Sequence, residues 1–381
     1  MRKKKILTVI LVLVLAYSAW LGFQLLRFES YTTLPATDSS PEVVGAYHIH
    51  STYSDGKKTV EQIAACAARI PLNFIILTDH GNPNYEALAC EGWKDGVLVL
   101  SGSELSENRG HLVAMSFERP PSRLSSTAEE AVHQVRLLGG FTIIAHPYSK
   151  VQWSWGPAEN YSGIEIINAD SMLRKSLPSS LPFIPALLWN PRFVFLKVLV
   201  RPEKNLLKWD SLNKAQPIFG YYSVDAHLFY RALFSSIQLH IPLSEPLSKN
   251  FHKAKRQVLD SLRHGNFYNA VEAAAQAKGF RFWAEQGKNI IPMGDNAIIT
   301  PQTTIHVEVP AGVHYEVHLL LNGTSVSQSS EETFSFTVTR PGVYRVEVYL
   351  KERTPMKKDI PWILSNPLFI KEKTDDSYRA K

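Results

Sequence analysis

The stretch Ala46-Tyr47-His48-Ile49-His50-Ser51-Thr52-Tyr53-Ser54-Asp55-Gly56 decides how this chain is read. Gly45–His50 is a short apolar, strand-forming run. His48 and His50 lie two apart on it, so both imidazoles point to one face, and Ser54-Asp55-Gly56 returns a carboxylate on the following loop. One such pair describes satisfied core histidines as well as it describes metal ligands. What separates the two readings is repetition. Thr78-Asp79-His80 ends a second apolar run, Gly102-Ser103-Glu104 a third, Gly110-His111 opens a fourth, Ala145-His146-Pro147 ends a fifth, and Asp225-Ala226-His227 ends the last.

Working outward, the strand-like runs are Gly45–His50, Phe74–Thr78, Val97–Ser101, His111–Phe117, Phe141–Ala145, Gly163–Ile167 and Ile218–Val224. Helical patterns at Val60–Arg69, Thr127–Leu138 and Leu206–Lys214 separate several of them. Strand and helix in alternation predict an α/β fold of parallel strands covered by helices. Seven strands with chemistry at their C-terminal ends predict a TIM-like barrel.

After Gly265 the period changes to two. Ile305, Val307 and Val309 alternate with Thr304, His306 and Glu308, Asn322-Gly323 is a hairpin turn, and Tyr344, Val346, Val348 and Leu350 form another alternating run. This predicts an accessory antiparallel β-sandwich. The expected organisation is a basic tip and apolar helix (1–27), a Pro/Ser/Thr linker (28–43), the barrel (44–265), the sandwich (266–370) and a polar tail (371–381). Within the barrel, residues 181–200 form a proline-broken, aromatic-rich apolar insertion. It reads as a cap over the barrel mouth or as an interfacial element that touches lipid.

Arg2 to Lys5 precede Ile6–Leu26, a charge-free stretch long enough to span a bilayer, for which about 20 apolar residues suffice. The lysines favour the cytoplasmic side, which predicts a single-pass cell-membrane protein with an extracytoplasmic catalytic domain. Ala16-Tyr17-Ser18 leaves a cleaved signal peptide as the alternative. These four basic residues also supply most of the net charge of +6, so that +6 minus 4 leaves +2 for the rest, too little to argue for nucleic acid. No obligate protein partner is evident. The two cysteines, Cys66 and Cys90, form no metal knuckle; a disulfide is permitted by export, but Cys66 in an apolar helical run favours free thiols.

Taken in order, His48, His50, Asp55, His80, Glu104, His111, His146, Asp225 and His227 resemble the ligand motifs of the PHP family, named for its polymerase and histidinol phosphatase members. The resemblance covers roughly residues 45–265 and fills all nine ligand positions. It implies an amidohydrolase-like, distorted (β/α)7 barrel with a trinuclear centre. By the same implication His48, His50, Glu104 and Asp225 hold a first metal, Glu104 bridges to a second held also by His111 and His146, and Asp55, His80 and His227 hold a third.

Mixed imidazole and carboxylate donors suit two to three divalent ions of Zn, Mn or Fe. Clustered ions make a metal-bound hydroxide available near neutral pH and offset charge on phosphoryl oxygens, so phosphate ester hydrolysis is the chemistry best served. Besides Glu104, Asp79 is a candidate catalytic residue, either orienting the neighbouring His80 or shuttling a proton. Arg109 and Lys150, with Tyr148 and Ser149 beside the latter, are candidate substrate contacts. The substrate expected is a phosphorylated small molecule or envelope component. Two other functions remain compatible: hydrolysis of an amide or other ester on the same site, and a ligand-binding envelope protein whose metal site is structural.

Overall fold

The computed structural model describes residues 2–35, 40–107, 110–120, 122–125, 127–149 and 161–372. The chain begins with a 25-residue helix, α1 (Arg2–Leu26), whose residues Lys3–Leu26 are long and apolar enough to cross a membrane or serve as a signal sequence. Strand β1 (Glu42–Ile49) follows, then α2 (Val60–Ala68), β2 (Phe74–Leu77), a single turn α3 (Tyr85–Leu88), β3 (Gly92–Lys94), β4 (Val97–Glu107) and β5 (Gly110–Met115). Next come α4 (Ala128–Leu137), β6 (Phe141–Ala145), β7 (Gly163–Asn168), α5 (Ala169–Ser180), a 3-10 helix (Leu181–Leu188), α6 (Pro191–Val198), α7 (Glu203–Leu212) and β8 (Phe219–Ser223).

Local chemistry accounts for the helix starts. Thr59 and Gln62 form a reciprocal capping box at the N-terminus of α2. Asn168, the last residue of β7, accepts from the Ser171 N–H and so caps α5. The buried faces of α2 (Val60, Ile63, Ala64, Ala67) and α4 (Ala128, Ala131, Val132, Val135) follow helical spacing.

The sheet runs β1-β2-β4-β5-β6-β7-β8. Its far strand comes back to its first: the Val224 N–H donates to Tyr47 O (3.0 Å), Ala226 N–H to His48 O (3.1 Å) and His50 N–H to Ala226 O (3.1 Å). The result is an α/β fold with a mixed, barrel-like sheet, and the expectation of uniformly parallel strands needs correction. β5 is antiparallel to both β4 and β6. The cause is the connection: β4 continues to Glu107 and β5 starts at Gly110, which leaves no room for a crossover helix, and only a hairpin joins strands so closely.

The C-terminal strands divide. Arg281–Gln286, Asn289–Pro292, Thr303–Glu308 and Thr333–Thr337 make a separate four-stranded antiparallel sheet. The others extend the main sheet, because β9 (Gln238–Pro242) pairs with β1 and also with β10 (Tyr268–Ala270), which pairs in turn with Ile363–Ser365. Side chains bind the halves as well. Asn269 Oδ1 accepts from the Tyr222 N–H (2.6 Å), and Asn366 Oδ1 from the Gly220 N–H (2.7 Å), so two backbone donors of β8 depend on residues beyond 265. Both cysteines are free thiols.

A buried charged cluster fastens the same junction. His240 on β9 lies between Glu42 of β1 (2.8 Å) and Glu272 (3.0 Å), stacked on Tyr268, while Arg281 holds the other Glu42 oxygen (2.7 Å). Burial disfavours charge on both partners, but the two carboxylates raise the His240 pKa to about 9, and His240 with Arg281 lowers that of Glu42 to about 2.

Two predictions follow from this junction. A chain ended at residue 265 bares the β9 edge and the β8 donors, and is expected to aggregate where the full chain stays monodisperse by gel filtration; a soluble, cooperatively melting fragment would contradict this. A raised histidine pKa contributes stability in full below its unfolded value and loses it as pH rises through the folded value. The melting temperature should therefore fall between pH 6.5 and about 9, and His240→Gln should flatten that fall; identical slopes in the two proteins would exclude the cluster as its source.

Candidate metal centre

Backbone irregularity aims the ligands. His48 sits in β1 with φ +70°, where the pairing with β2 skips a residue between Tyr47 and Ile49. His146 (φ +25°), just after β6, and Asp225 (φ +47°), just after β8, share the left-handed region, which costs a non-glycine residue about 1 kcal/mol or more. Three ligands in a disfavoured conformation mark strain held by the surrounding sheet. Gly56 completes the first loop: a Cβ there would lie 2.1 Å from the His50 carbonyl oxygen, so only glycine lets the chain fold back and present Asp55.

The nine side chains converge at one end of the curled sheet. Glu104, fully buried, is their common member. Its Oε1 lies 2.6 Å from His111 Nδ1 and 2.9 Å from His146 Nε2; its Oε2 lies 3.2 Å from both His48 Nε2 and His50 Nε2 and 3.4 Å from His80 Nδ1. Asp225 Oδ1 approaches His50 Nε2 (3.3 Å), His48 Nε2 (3.5 Å) and His227 Nδ1 (3.6 Å). Asp55 meets His227 Nε2 at 3.1 Å, His50 Nδ1 at 3.4 Å and His80 Nε2 at 3.9 Å. Donor atoms fall into four overlapping groups: His48–His50–Glu104, His48–His146–Asp225, His80–Glu104–His111 and His50–Asp55–His80–His227.

Burial grades the set. His48, His50, Glu104, His146 and Asp225 are buried, whereas His80, His111 and His227 are partly open and the Asp55 side chain is 55% exposed. This open side faces a cavity of about 950 Å³. Its other wall carries Arg174, Lys175, Arg201 and Lys204, with Tyr148 and Ser149 near the histidines. Arg109 and Lys150, the substrate contacts expected from sequence, lie outside the described residues.

Asp79 is fully buried, but its partners are the Ser51 N–H (2.7 Å), Ser51 Oγ (2.9 Å) and Ser54 Oγ (2.7 Å). Its contacts are thus with the loop between His50 and Asp55, not with the His80 imidazole. The sequence reading passed over Glu165 and Asn168. Glu165 Oε1 lies 2.5 Å from His48 Nδ1, and its Oε2 accepts from the His146 N–H (2.8 Å) and from Asn168 Nδ2 (2.9 Å), which also donates to Asp225 (3.1 Å). The signal was available: Glu165 is the one charge inside the apolar run Gly163–Ile167. A skipped residue in the pairing of β7 with β8, between Glu165 and Ile167, accompanies the placing of Glu165 and Asn168 at one site.

These outer contacts set tautomers. With Nδ1–H donated to Glu165, His48 keeps an Nε2 lone pair facing Glu104 and Asp225. His227 donates Nδ1–H to the Asp225 carbonyl (3.0 Å), which frees Nε2 toward Asp55. His50 Nε2 is buried with no hydrogen-bond partner among the described residues, although two carboxylate oxygens lie within 3.3 Å. An inward lone pair left unsatisfied between two carboxylates fits a cation there. Burial opposes charge on every buried member, yet Glu104 and Asp225 are held well below the ordinary carboxylate range, His48 first among the causes. Nearby carboxylates push His48 and His146 up and bring His50 to about 9. The carboxylates call for positive charge, and divalent ions supply it without protons.

No family model matches the chain. An uncharacterized protein of Methanocaldococcus jannaschii is 28% identical over 141 residues, which is 32% of this chain and 80% of that protein. A Bacteroides vulgatus two-domain protein, described as containing a predicted PHP-like metal-dependent phosphoesterase, is 13% identical with a TM-score of 0.46, covering 90% of this chain and 99% of the other. An amidohydrolase of Chromobacterium violaceum is 17% identical with a TM-score of 0.30, covering 48% of this chain and 87% of its own. Overlaps of this size do not by themselves establish a common fold; the ligand geometry has to speak for the site.

Substitution of Glu165 by Gln removes the acceptor charge behind His48 without emptying its volume. Metal affinity, measured by competition with a chelator, is expected to fall roughly 10–100-fold while the circular dichroism spectrum is retained. Unchanged affinity would show that Glu165 does not position His48. In this arrangement one buried carboxylate is shared by imidazoles from several strands, with a second histidine–carboxylate group at its open end.

Proposed function

We propose that this chain is a metal-dependent phosphoesterase, anchored in the cell membrane by α1 and exported, which hydrolyses a phosphate mono- or diester at a trinuclear centre in a distorted (β/α)7 barrel. The observation that carries the reading is that two of the four ligand groups share the Glu104 carboxylate and the other two join them through His48, His50 and His80. Overlapping groups favour a shared cluster over isolated structural sites. Within it His48, His50, Glu104 and Asp225 would hold one ion, Glu104, His111 and His146 a second, and Asp55, His80 and His227 a third; His50 lies close enough to join the last. Zn, Mn or Fe ions bound there would activate a water for attack and neutralise developing charge on the phosphoryl group.

The chain's own residues do the rest. Glu165 fixes the His48 tautomer and, through the His146 N–H, the turn after β6. Asn168 ties Glu165 to Asp225, and Asp79 holds Ser51 and Ser54 so that His50 and Asp55 face each other. In this reading Asp79 positions ligands rather than moving a proton. Substrate phosphate would enter from the cavity, with Lys175 and Lys204 drawing it inward, since Arg174 is paired with Asp170 and Arg201 with Glu203 and Glu347. Arg109 and Lys150 remain proposed contacts on the same grounds as in the sequence. The substrate itself would be a phosphorylated small molecule or an envelope component, and residues beyond 265 would serve as an accessory element.

The test is turnover of para-nitrophenyl and bis(para-nitrophenyl) phosphate by full-length protein loaded with Mn²⁺ or Zn²⁺. Glu104→Ala, which removes the shared ligand, should lose on the order of 1,000-fold or more, and His146→Ala at least about 100-fold, since losing a ligand exceeds losing its hydrogen-bond partner. Cleavage of carboxamides but of neither phosphoester would move the site to another bond. Metal binding without any turnover would favour a binding role.

A further inference from the structure

The apolar insertion is attached to α1, and the attachment points are at different levels. Tyr17 donates its hydroxyl to the Pro182 carbonyl (2.6 Å), Trp20 packs on Phe183 (5.4 Å between rings), and Phe28 on Phe193 (5.8 Å). Helix α1 rises about 1.5 Å per residue, so Tyr17 lies about 14 Å and Trp20 about 9 Å below Leu26, its last residue. Half of a bilayer's hydrocarbon is about 15 Å thick. If α1 spans, a segment touching Tyr17 and Trp20 is below the lipid surface, and one touching Phe28 is at it. This holds whichever way α1 is oriented, because depth is counted from the end that leads into the folded domain.

The segment has the chemistry that depth demands. Leu181–Leu188 and the following Trp189 contain no charged or polar side chain. Leu181 (60%), Leu188 (84%) and Trp189 (71%) turn outward, beside a helix whose residues Ile6–Leu15 are also bare. Its backbone is provided for. Pro182 and Pro185 have no N–H, the Pro182 carbonyl takes the Tyr17 hydroxyl, and the Ala186 carbonyl takes the N–H groups of Trp189 (3.1 Å) and Asn190 (2.7 Å). Cations begin only at Arg192 and Lys197, and the Lys197 ammonium lies 5.2 and 5.7 Å above Phe183 and Phe193. With nine apolar residues the segment is too short to span, and fits one leaflet.

The geometry points to a lipid leaflet as the partner of this surface: Leu181–Trp189 lies in the acyl chains on the catalytic side of the membrane, locked to α1, as a second point of attachment. Helix α5, 12 residues and about 18 Å long, runs from Asn168 at the metal ligands to Ser180 at the start of this segment. The metal centre is therefore held within about that distance of the embedded surface, within reach of phosphate esters carried on lipids.

The inference rests on the reading of α1 as a span, and tryptophan quenching tests the two separately. Full-length protein is placed in nanodiscs of phosphatidylcholine with brominated acyl chains, and the quenched fraction of the fluorescence of its eight tryptophans is compared among Trp20→Phe, Trp189→Phe and Trp93→Phe. Trp189 is exposed, so its replacement leaves the fold alone. Loss of quenchable signal with Trp20→Phe and Trp189→Phe, and none with Trp93→Phe, is the expected result. Loss with Trp20→Phe only would keep α1 in the membrane and overturn the embedded segment; no loss with either would remove the span and the inference together. No substrate is present in the measurement, so its outcome is independent of whether the phosphoesterase assignment stands.

Discussion

Everything at the open end of the sheet depends on the Glu104 carboxylate, almost wholly buried at the edge of the cavity and shared by five imidazoles. An ionised carboxylate in such a place is tolerated only with opposite charge at hand. Asp225 and Glu165 lie within the same buried shell, so the demand exceeds what one proton or one cation can meet. Imidazoles turned toward these carboxylates can answer it in two ways, by taking up protons, which the carboxylates favour at His48, His50 and His146, or by sharing divalent ions with them. The buried charge thus explains the ligands, and the ligands explain the backbone: His48, His146 and Asp225 keep left-handed conformations because the sheet around them holds them to the centre.

Exposure divides the labour across the site. The inner group is sealed between strands, while Asp55, His80, His111 and His227 border the cavity and meet whatever enters. The cavity's far wall comes from α5 and the start of α7 and mixes Arg174, Lys175, Arg201 and Lys204 with Asp170 and Glu203, so the helix capped by Asn168, which also donates to Glu165 and Asp225, shapes the mouth and ends at the apolar insertion. One short helix therefore runs from the ligand cluster past the cavity to the apolar insertion.

Much of this was legible in the amino-acid order because each ligand follows or opens an apolar run, and strand ends are where a sheet can gather side chains. What escaped was non-local. The reversal of β5 was hidden because β4 extends through Ser103 and Leu105 past its apolar core, leaving a hairpin where a crossover was expected. Glu165 was hidden inside an otherwise apolar strand, and the skipped residues near His48 and Ile166 cannot be read from alternation, since a bulge breaks the very period that identifies a strand. A boundary at Gly265 follows from the change of period, but pairing of β9 with β10 carries the main sheet across it. Arg109 and Lys150, both placed by their neighbours in sequence, lie outside the described residues, and the described cations along the cavity come from segments with no motif at all.

The central claim is that one shared carboxylate organises a multi-metal centre. Crystals of the full-length protein grown with Mn²⁺ or Zn²⁺, with anomalous scattering recorded on both sides of the metal edge, test it most directly. The account predicts two or three anomalous peaks among the nine side chains, at least two of them in contact with Glu104. A single peak away from Glu104, or none at full metal concentration, would contradict it.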